Sequence, residues 1–267
     1  MTKFVRPLLI LGGIIGIFYI IAVAALYGEQ RSMLYAGAGV KCPTEIPQGY
    51  RVAQIATSDG ERISGLYRPA TSGHKTILFF HGNADTARTG VDLFKPLTAG
   101  GDGAFLVEYR GYCGNSGSPD EQGLYRDGEA AVQWLGKAGV DPSQLIVAGY
   151  SLGTGVATKV AADHQPAAVI LIAAYTSIAD VGADHFAWAP VRLLTRDRFA
   201  SIDRIARINA PILLLHGADD TLVLVGQARA LAKRARKATL EIVPGEGHMV
   251  GFSPDLPPLI ARWAVQL

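Results

Sequence analysis

The sequence predicts a doubly wound α/β domain, built on a mostly parallel sheet of eight strands and preceded by one transmembrane helix. Three observations predict it. An uncharged apolar run opens the chain, strand-length segments such as ILFF and ILLL are apolar throughout, and helical periodicity fills the stretches between them. A strand with no polar side needs cover on both sheet faces, which a parallel sheet flanked by helices supplies. The 267 residues suffice for one such domain. With 25 Lys+Arg against 23 Asp+Glu the net charge is +2, too even for a nucleic-acid binder held by a broad basic surface. A hydrophobic share of 49% with 18% charged residues excludes wholesale disorder.

Taken in order, Pro7 to Gly28 carry no charge, and these 22 residues are long enough to span a hydrocarbon core of roughly 30 Å. Lys3 and Arg6 precede the run, which favours an N-inside helix with the remaining chain on the extracytoplasmic, periplasmic side. Ala22-Val23-Ala24 also fits a signal-peptide cleavage pattern, but the run is long for one, so residues 1–28 read as a retained anchor. Residues 29–47 show no sustained period and read as a linker, leaving 48–267 as the globular domain. Its strand candidates are Tyr50–Thr57, Arg62–Arg68, Thr76–His81, Ala104–Tyr109, Leu145–Tyr150, Ala168–Ala173, Ile212–His216 and Leu240–Val243. Helical patterns fall at 86–99, 121–138, 152–163, 223–236 and 255–266; in the second, Leu124, Ala131, Trp134, Leu135 and Ala138 form a stripe. Around 176–210 the alternation breaks, which suggests a small, arginine-bearing helical insertion over one sheet edge. Cys42 and Cys113 are too few for a disulfide framework, and neither belongs to a CxxC pair.

The chemistry concentrates at strand ends. Gly149-Tyr150-Ser151-Leu152-Gly153 follows a buried strand and opens a helix, the context a nucleophile elbow requires. The sharp turn strains the serine backbone and lifts its hydroxyl above the sheet, while N–H groups at the helix start favour an oxyanion. In a Gly-rich chain the same five residues could also be an ordinary capped turn; the strand–helix junction argues for the elbow. Such a serine needs a base, and the base needs an orienting carboxylate. Asp219 and Asp220 follow one strand and His248 follows the last, both at carboxyl ends where open α/β sheets place their sites. His216 ends a strand and reads as structural, whereas His74, His164 and His185 read as surface residues. The oxyanion hole would combine the Leu152 N–H with one from the His81-Gly82-Asn83 loop, that of Asn83. No HExxH, EF-hand loop, Walker sequence or strand-placed GxGxxG occurs, so no metal or cofactor is expected.

QRSMLY, FFHGNADTAR, VEYRGYCGNSGSPDEQGLYRDGEAAVQWL, VAGYSLGTGVA, FASIDRIARINAPILLLHGADD and GEGH together resemble the α/β-hydrolases, and within them the Bem46-type, ABHD-like branch. The resemblance covers nearly everything from residue 30 onward. It implies an α/β-hydrolase fold and a serine hydrolase acting on carboxylic esters, with thioesters and lipid acyl groups among the implied substrates. The HGxxD spacing places the acid on Asp220, leaving Asp219 as its solvent-facing neighbour, and the family's oxyanion position falls on Asn83. Two departures are Glu108, where Asp is usual, and Cys113, where Gly is usual, the latter expected near the pocket rim. The expected partners are a small-molecule or lipid-like ester and the membrane, with no nucleic acid. Two other readings use the same residues: a serine peptidase or amidase, and a non-catalytic membrane-held binding protein.

Overall fold

In a computed structural model, which describes residues 2–267, the chain begins with α1 (Thr2–Leu34) and then alternates strands and helices. In order these are β1 (Arg51–Ala56), β2 (Arg62–Arg68), β3 (Thr76–Phe80), α2 (Thr89–Leu93), α3 (Lys95–Ala99), β4 (Gly103–Val107), α4 (Glu121–Lys137), β5 (Leu145–Tyr150) and α5 (Leu152–His164). The second half holds β6 (Ala168–Ile172), α6 (Ile178–His185), α7 (Val191–Leu194), β7 (Ile212–Gly217), α8 (Val225–Arg234), β8 (Ala238–Val243) and α9 (Leu256–Ala264). The eight strands form one sheet in the order β1-β2-β4-β3-β5-β6-β7-β8, parallel from β4 onward with β1 and β2 antiparallel.

Burial explains the sequence pattern. Every residue of β3, β4, β5, β6 and β7 is buried, whereas the edge strands β1 and β8 are largely exposed. Alternate residues of β3 feed two cores: Leu78 and Phe80 on the side of α4 and α5, and Ile77 and Phe79 on the side of α2, α3 and α9. The helix α4 starts where the Asp120 carboxylate accepts from the Gly123 N–H at 2.6 Å, and it buries Leu124, Ala131 and Leu135 as its stripe predicts.

Three features differ from the sequence reading. First, α1 does not end at the apolar run. It continues to Leu34 through the first third of the segment expected to be a linker, and Tyr35 beyond it is buried. Arg31 there forks onto the buried Asp197 carboxylate, at 2.7 Å and 3.0 Å, which docks the helix on the domain. Second, the insertion does not cover a sheet edge. Its helices α6 and α7 lie above the carboxyl ends of the central strands, facing Ser151 and α1 across one cavity. Third, Cys42 and Cys113 are joined in a disulfide with Cα atoms 4.9 Å apart. This single bridge ties the chain after α1 to the loop after β4, and Cys113 lines a cavity with Glu108 rather than the one above Ser151.

The bridge closes 71 residues of chain, so its main effect is on the unfolded state. Replacing both cysteines by serine should lower unfolding free energy by about 2–4 kcal/mol in a denaturant melt. An unchanged midpoint would contradict this.

Candidate active site

The turn between β5 and α5 holds Ser151 at φ 48° and ψ −116°, in a region L-residues rarely occupy. Strain of this kind, of order 1–3 kcal/mol, persists only where neighbours over-determine it. Here they do: a Cβ on Gly149 would strike the Gly153 backbone, and one on Gly153 would strike the Phe80 carbonyl of β3. The two glycines of the motif are therefore what lets α5 lie against β5 and β3. The Ser151 N–H donates to the Ile172 carbonyl of β6 at 2.9 Å, which fixes the turn from the other side.

Ser151 Oγ is 2.9 Å from His248 Nε2, and His248 Nδ1 is 2.8 Å from Asp220 Oδ2. The structure thus brings together the serine, histidine and acid expected from the sequence, while Asp219 is exposed and its backbone N–H donates to the Glu246 carbonyl at 2.9 Å. Asp220 is 4% exposed. Its Oδ1 accepts from the Leu222 and Val223 N–H groups at 2.9 and 2.8 Å. Burial pushes this carboxyl up, but the histidines His216 and His248 and the Val223 N–H outweigh burial and hold it well below the usual range. An ionised carboxylate facing Nδ1 leaves that nitrogen protonated and Nε2 free to accept from Ser151. His216, which the sequence marks only as structural, touches the acid directly. Its Nε2 lies 2.8 Å from the Val223 carbonyl and 3.3 Å from Asp220 Oδ2, and both are acceptors, so this nitrogen carries the proton.

Asn83, Ser151 and Leu152 line one cavity of about 600 Å³. The Leu152 N–H belongs to the first residue of α5, so it has no preceding turn to donate to. The Asn83 N–H is set by its peptide plane. His81 Nδ1 lies 2.7 Å from the Gly82 carbonyl, and the N–H of the next residue leaves the opposite edge of that rigid plane. The Asn83 carbonyl is pinned in turn by the Gly37 N–H at 2.9 Å and the Tyr112 hydroxyl at 2.8 Å. Neither clamp has a local sequence signal, because the donors come from 46 residues before and 29 after. His185, read as a surface residue, is exposed and also lines this cavity.

Beneath the loop, His81 is fully buried with Nε2 2.8 Å from Glu108 Oε1, an oblique ion-pair contact. Burial alone would lower the imidazole pKa, but the Glu108 carboxylate, with Asp85 and the Gly82 carbonyl behind it, raises it above the usual histidine value. Cys42, Glu108 and Cys113 bring three potential metal-ligand atoms within 4.8 Å of one another. With both sulfurs spent in the disulfide, only the carboxylate is left there as a ligand.

A family model described as "Serine aminopeptidase, S33" matches residues 71–198. The uncharacterized protein Rv2307c of Mycobacterium tuberculosis is 39% identical over 230 residues, covering 84% of this chain and 82% of that one. Alpha/beta hydrolase domain-containing protein 17B of Homo sapiens is 33% identical over 198 residues, covering 72% of this chain and 67% of its own length. The chain belongs to the α/β-hydrolase family. Lysophosphatidylserine lipase ABHD12 of Danio rerio is 33% identical over 204 residues, 68% of this chain, which spans about half of that protein (52%). Among solved structures, an α/β-hydrolase from Vibrio vulnificus superposes with a TM-score of 0.72 at 21% identity, covering 89% of this chain and 90% of that one. The Pyrococcus furiosus esterase Pf2001 gives 0.66 at 16% identity, covering 86% and 96%. At these identities the two structures establish the fold.

The raised His81 pKa has a stability consequence with a definite sign. Its contribution is fully present below the unfolded-state value of about 6.5 and is lost as pH rises through the higher folded value. The thermal midpoint should therefore decline above about pH 6.5, and Glu108→Gln should flatten that decline. Parallel pH profiles for the two proteins would contradict the pairing.

Proposed function

We propose that this α/β-hydrolase is a membrane-anchored serine hydrolase that cleaves carboxylic esters through Ser151, His248 and Asp220. The observation that carries the reading is the unbroken relay from the Ser151 hydroxyl through both nitrogens of His248 to the Asp220 carboxylate. His248 Nε2 takes the serine proton as Oγ attacks the ester carbonyl, and Asp220 holds the imidazole tautomer and stabilises the imidazolium. The N–H groups of Asn83 and Leu152 receive the developing oxyanion; each such donor is typically worth about 2.7–4 kcal/mol in the transition state. His248 then gives the proton to the leaving alcohol. Water, activated by the same histidine, releases the acid from the acyl-enzyme. Lipid acyl esters and thioesters suit the same steps.

An aminopeptidase reading would follow the description of the matching family model. That activity needs a free carboxylate to meet a substrate's α-ammonium beside the serine. The carboxylate lining the cavity, Asp197, is already held by Arg31, which favours an uncharged acyl group.

The anchor is α1, whose Leu9–Leu34 segment is apolar enough to cross a membrane. The domain would stand on the extracytoplasmic side, a placement supported by Lys3 and Arg6 before the span and by the Cys42–Cys113 bridge, which persists in oxidising compartments.

Turnover of p-nitrophenyl butyrate tests the assignment. Ser151→Ala should lower kcat/KM by about 10⁴-fold or more, and Asp220→Asn by about 10⁴-fold. Asp219→Asn should stay within about twofold. Retained activity in Ser151→Ala would mean that another residue attacks.

A further inference from the structure

The cavity above Ser151 has an unexpected wall. Val23, Leu26, Tyr27 and Met33 of α1 line it opposite Ile178, Val181 and Phe186 of the insertion, and its lining is predominantly apolar. These α1 positions recur at helical spacing on one face, and they belong to the very helix that carries the apolar span. The span's depth can be read from its charges. The uncharged run ends at Gly28, and Glu29, Gln30 and Arg31 follow, so Val23 to Tyr27 occupy its last turns, at the boundary between hydrocarbon and headgroups. The insertion follows the helix inward from there: Trp188 packs edge-on against Tyr19, two turns further in than Tyr27, with ring centroids 6.1 Å apart. Trp188 and Leu193 nevertheless stay 51% and 80% exposed, an apolar surface that water does not favour but a bilayer interface does. Polar contacts begin two turns above the Tyr19–Trp188 pair, where the Arg196 guanidinium lies over the Tyr27 ring and the Arg196 N–H donates to Gln30 Oε1 at 2.8 Å.

We propose that α1 is part of the substrate site as well as an anchor, and that a long acyl chain passes sideways from the adjacent leaflet, between α1 and the insertion, to Ser151. The inference rests on the ester-hydrolase reading and adds to it the substrate's source and the residues that select it. An acyl chain taking this path moves from hydrocarbon into an apolar cleft without crossing water. The ester carbonyl, at the headgroup end of the chain, arrives last, near the Asn83 and Leu152 N–H groups. Chain selectivity then resides partly in α1, where Leu26 narrows the path.

The test uses the full chain in phosphatidylcholine vesicles, with p-nitrophenyl butyrate and membrane-dissolved p-nitrophenyl palmitate as probes. Leu26→Trp, which blocks the path from the α1 side, should lower the palmitate-to-butyrate ratio of kcat/KM tenfold or more. Ala25→Trp, exposed at the same height on another face of α1, should leave that ratio within twofold. Palmitate turnover should also follow the ester's mole fraction in the bilayer, falling when lipid is added at constant ester. Should Leu26→Trp fail to fold, Val23→Phe carries the same prediction. Equal ratios for the Leu26 and Ala25 variants, or a rate indifferent to added lipid, would overturn the proposal while leaving the hydrolase reading intact. A folded protein that turns over neither ester would overturn both.

Discussion

The arrangement above the sheet depends on one backbone constraint, the left-handed conformation of Ser151. It is enforced by the close seating of α5 on the paired strands β3 and β5, which is possible because residues 149 and 153 lack side chains. A hydroxyl lifted above the carboxyl ends of the strands can be met only by loops leaving those ends. The loop after β7 supplies Asp220 and the loop after β8 supplies His248. The order of strands in the sheet places those loops together, because β7 and β8 are neighbours and β6 separates β7 from β5. The strain at one residue is thus balanced by close packing over three strands and a helix.

Around this centre, polar groups are fixed by partners distant in sequence. Asp220 is oriented by two backbone N–H groups and faces two histidines, so its charge is stabilised where it is buried. The loop carrying Asn83 is gripped from below by the His81–Glu108 pair and from outside by Gly37 and Tyr112. The segment bearing Gly37 is itself held at both ends, by the Arg31–Asp197 fork before it and the Cys42–Cys113 bridge after it. The N-terminal helix α1, the strap that follows it and the loop beside Ser151 are therefore one mechanical unit.

What the sequence made legible follows from local pattern. The buried runs of β3, β5 and β7 announce themselves because no position can be polar, and α4 because Leu124, Ala131 and Leu135 repeat on one face. Ser151, Asp220 and His248 sit in short Gly-rich or acidic loops directly after such runs, so position and chemistry coincide. The docking of α1 left no such mark, because Val23 and Leu26 are as apolar as residues that face lipid. The disulfide links residues 71 apart and imposes no local period, so the sequence pattern does not point to it. The contacts of His216 and His81 were equally hidden, since an isolated histidine on a strand end does not reveal which carboxylate the fold brings to it. The seat of the insertion is not legible either, because irregular spacing says where order stops, not where the segment folds back.

The central claim is that the fold activates Ser151 alone among the serines. Mapping the adduct of a fluorophosphonate by peptide mass spectrometry tests it most directly. The account predicts a single adduct on the peptide carrying Ser151, and its loss in His248→Ala, where the hydroxyl has no base. A folded protein that takes no label, or one that takes it on another serine, would contradict the account.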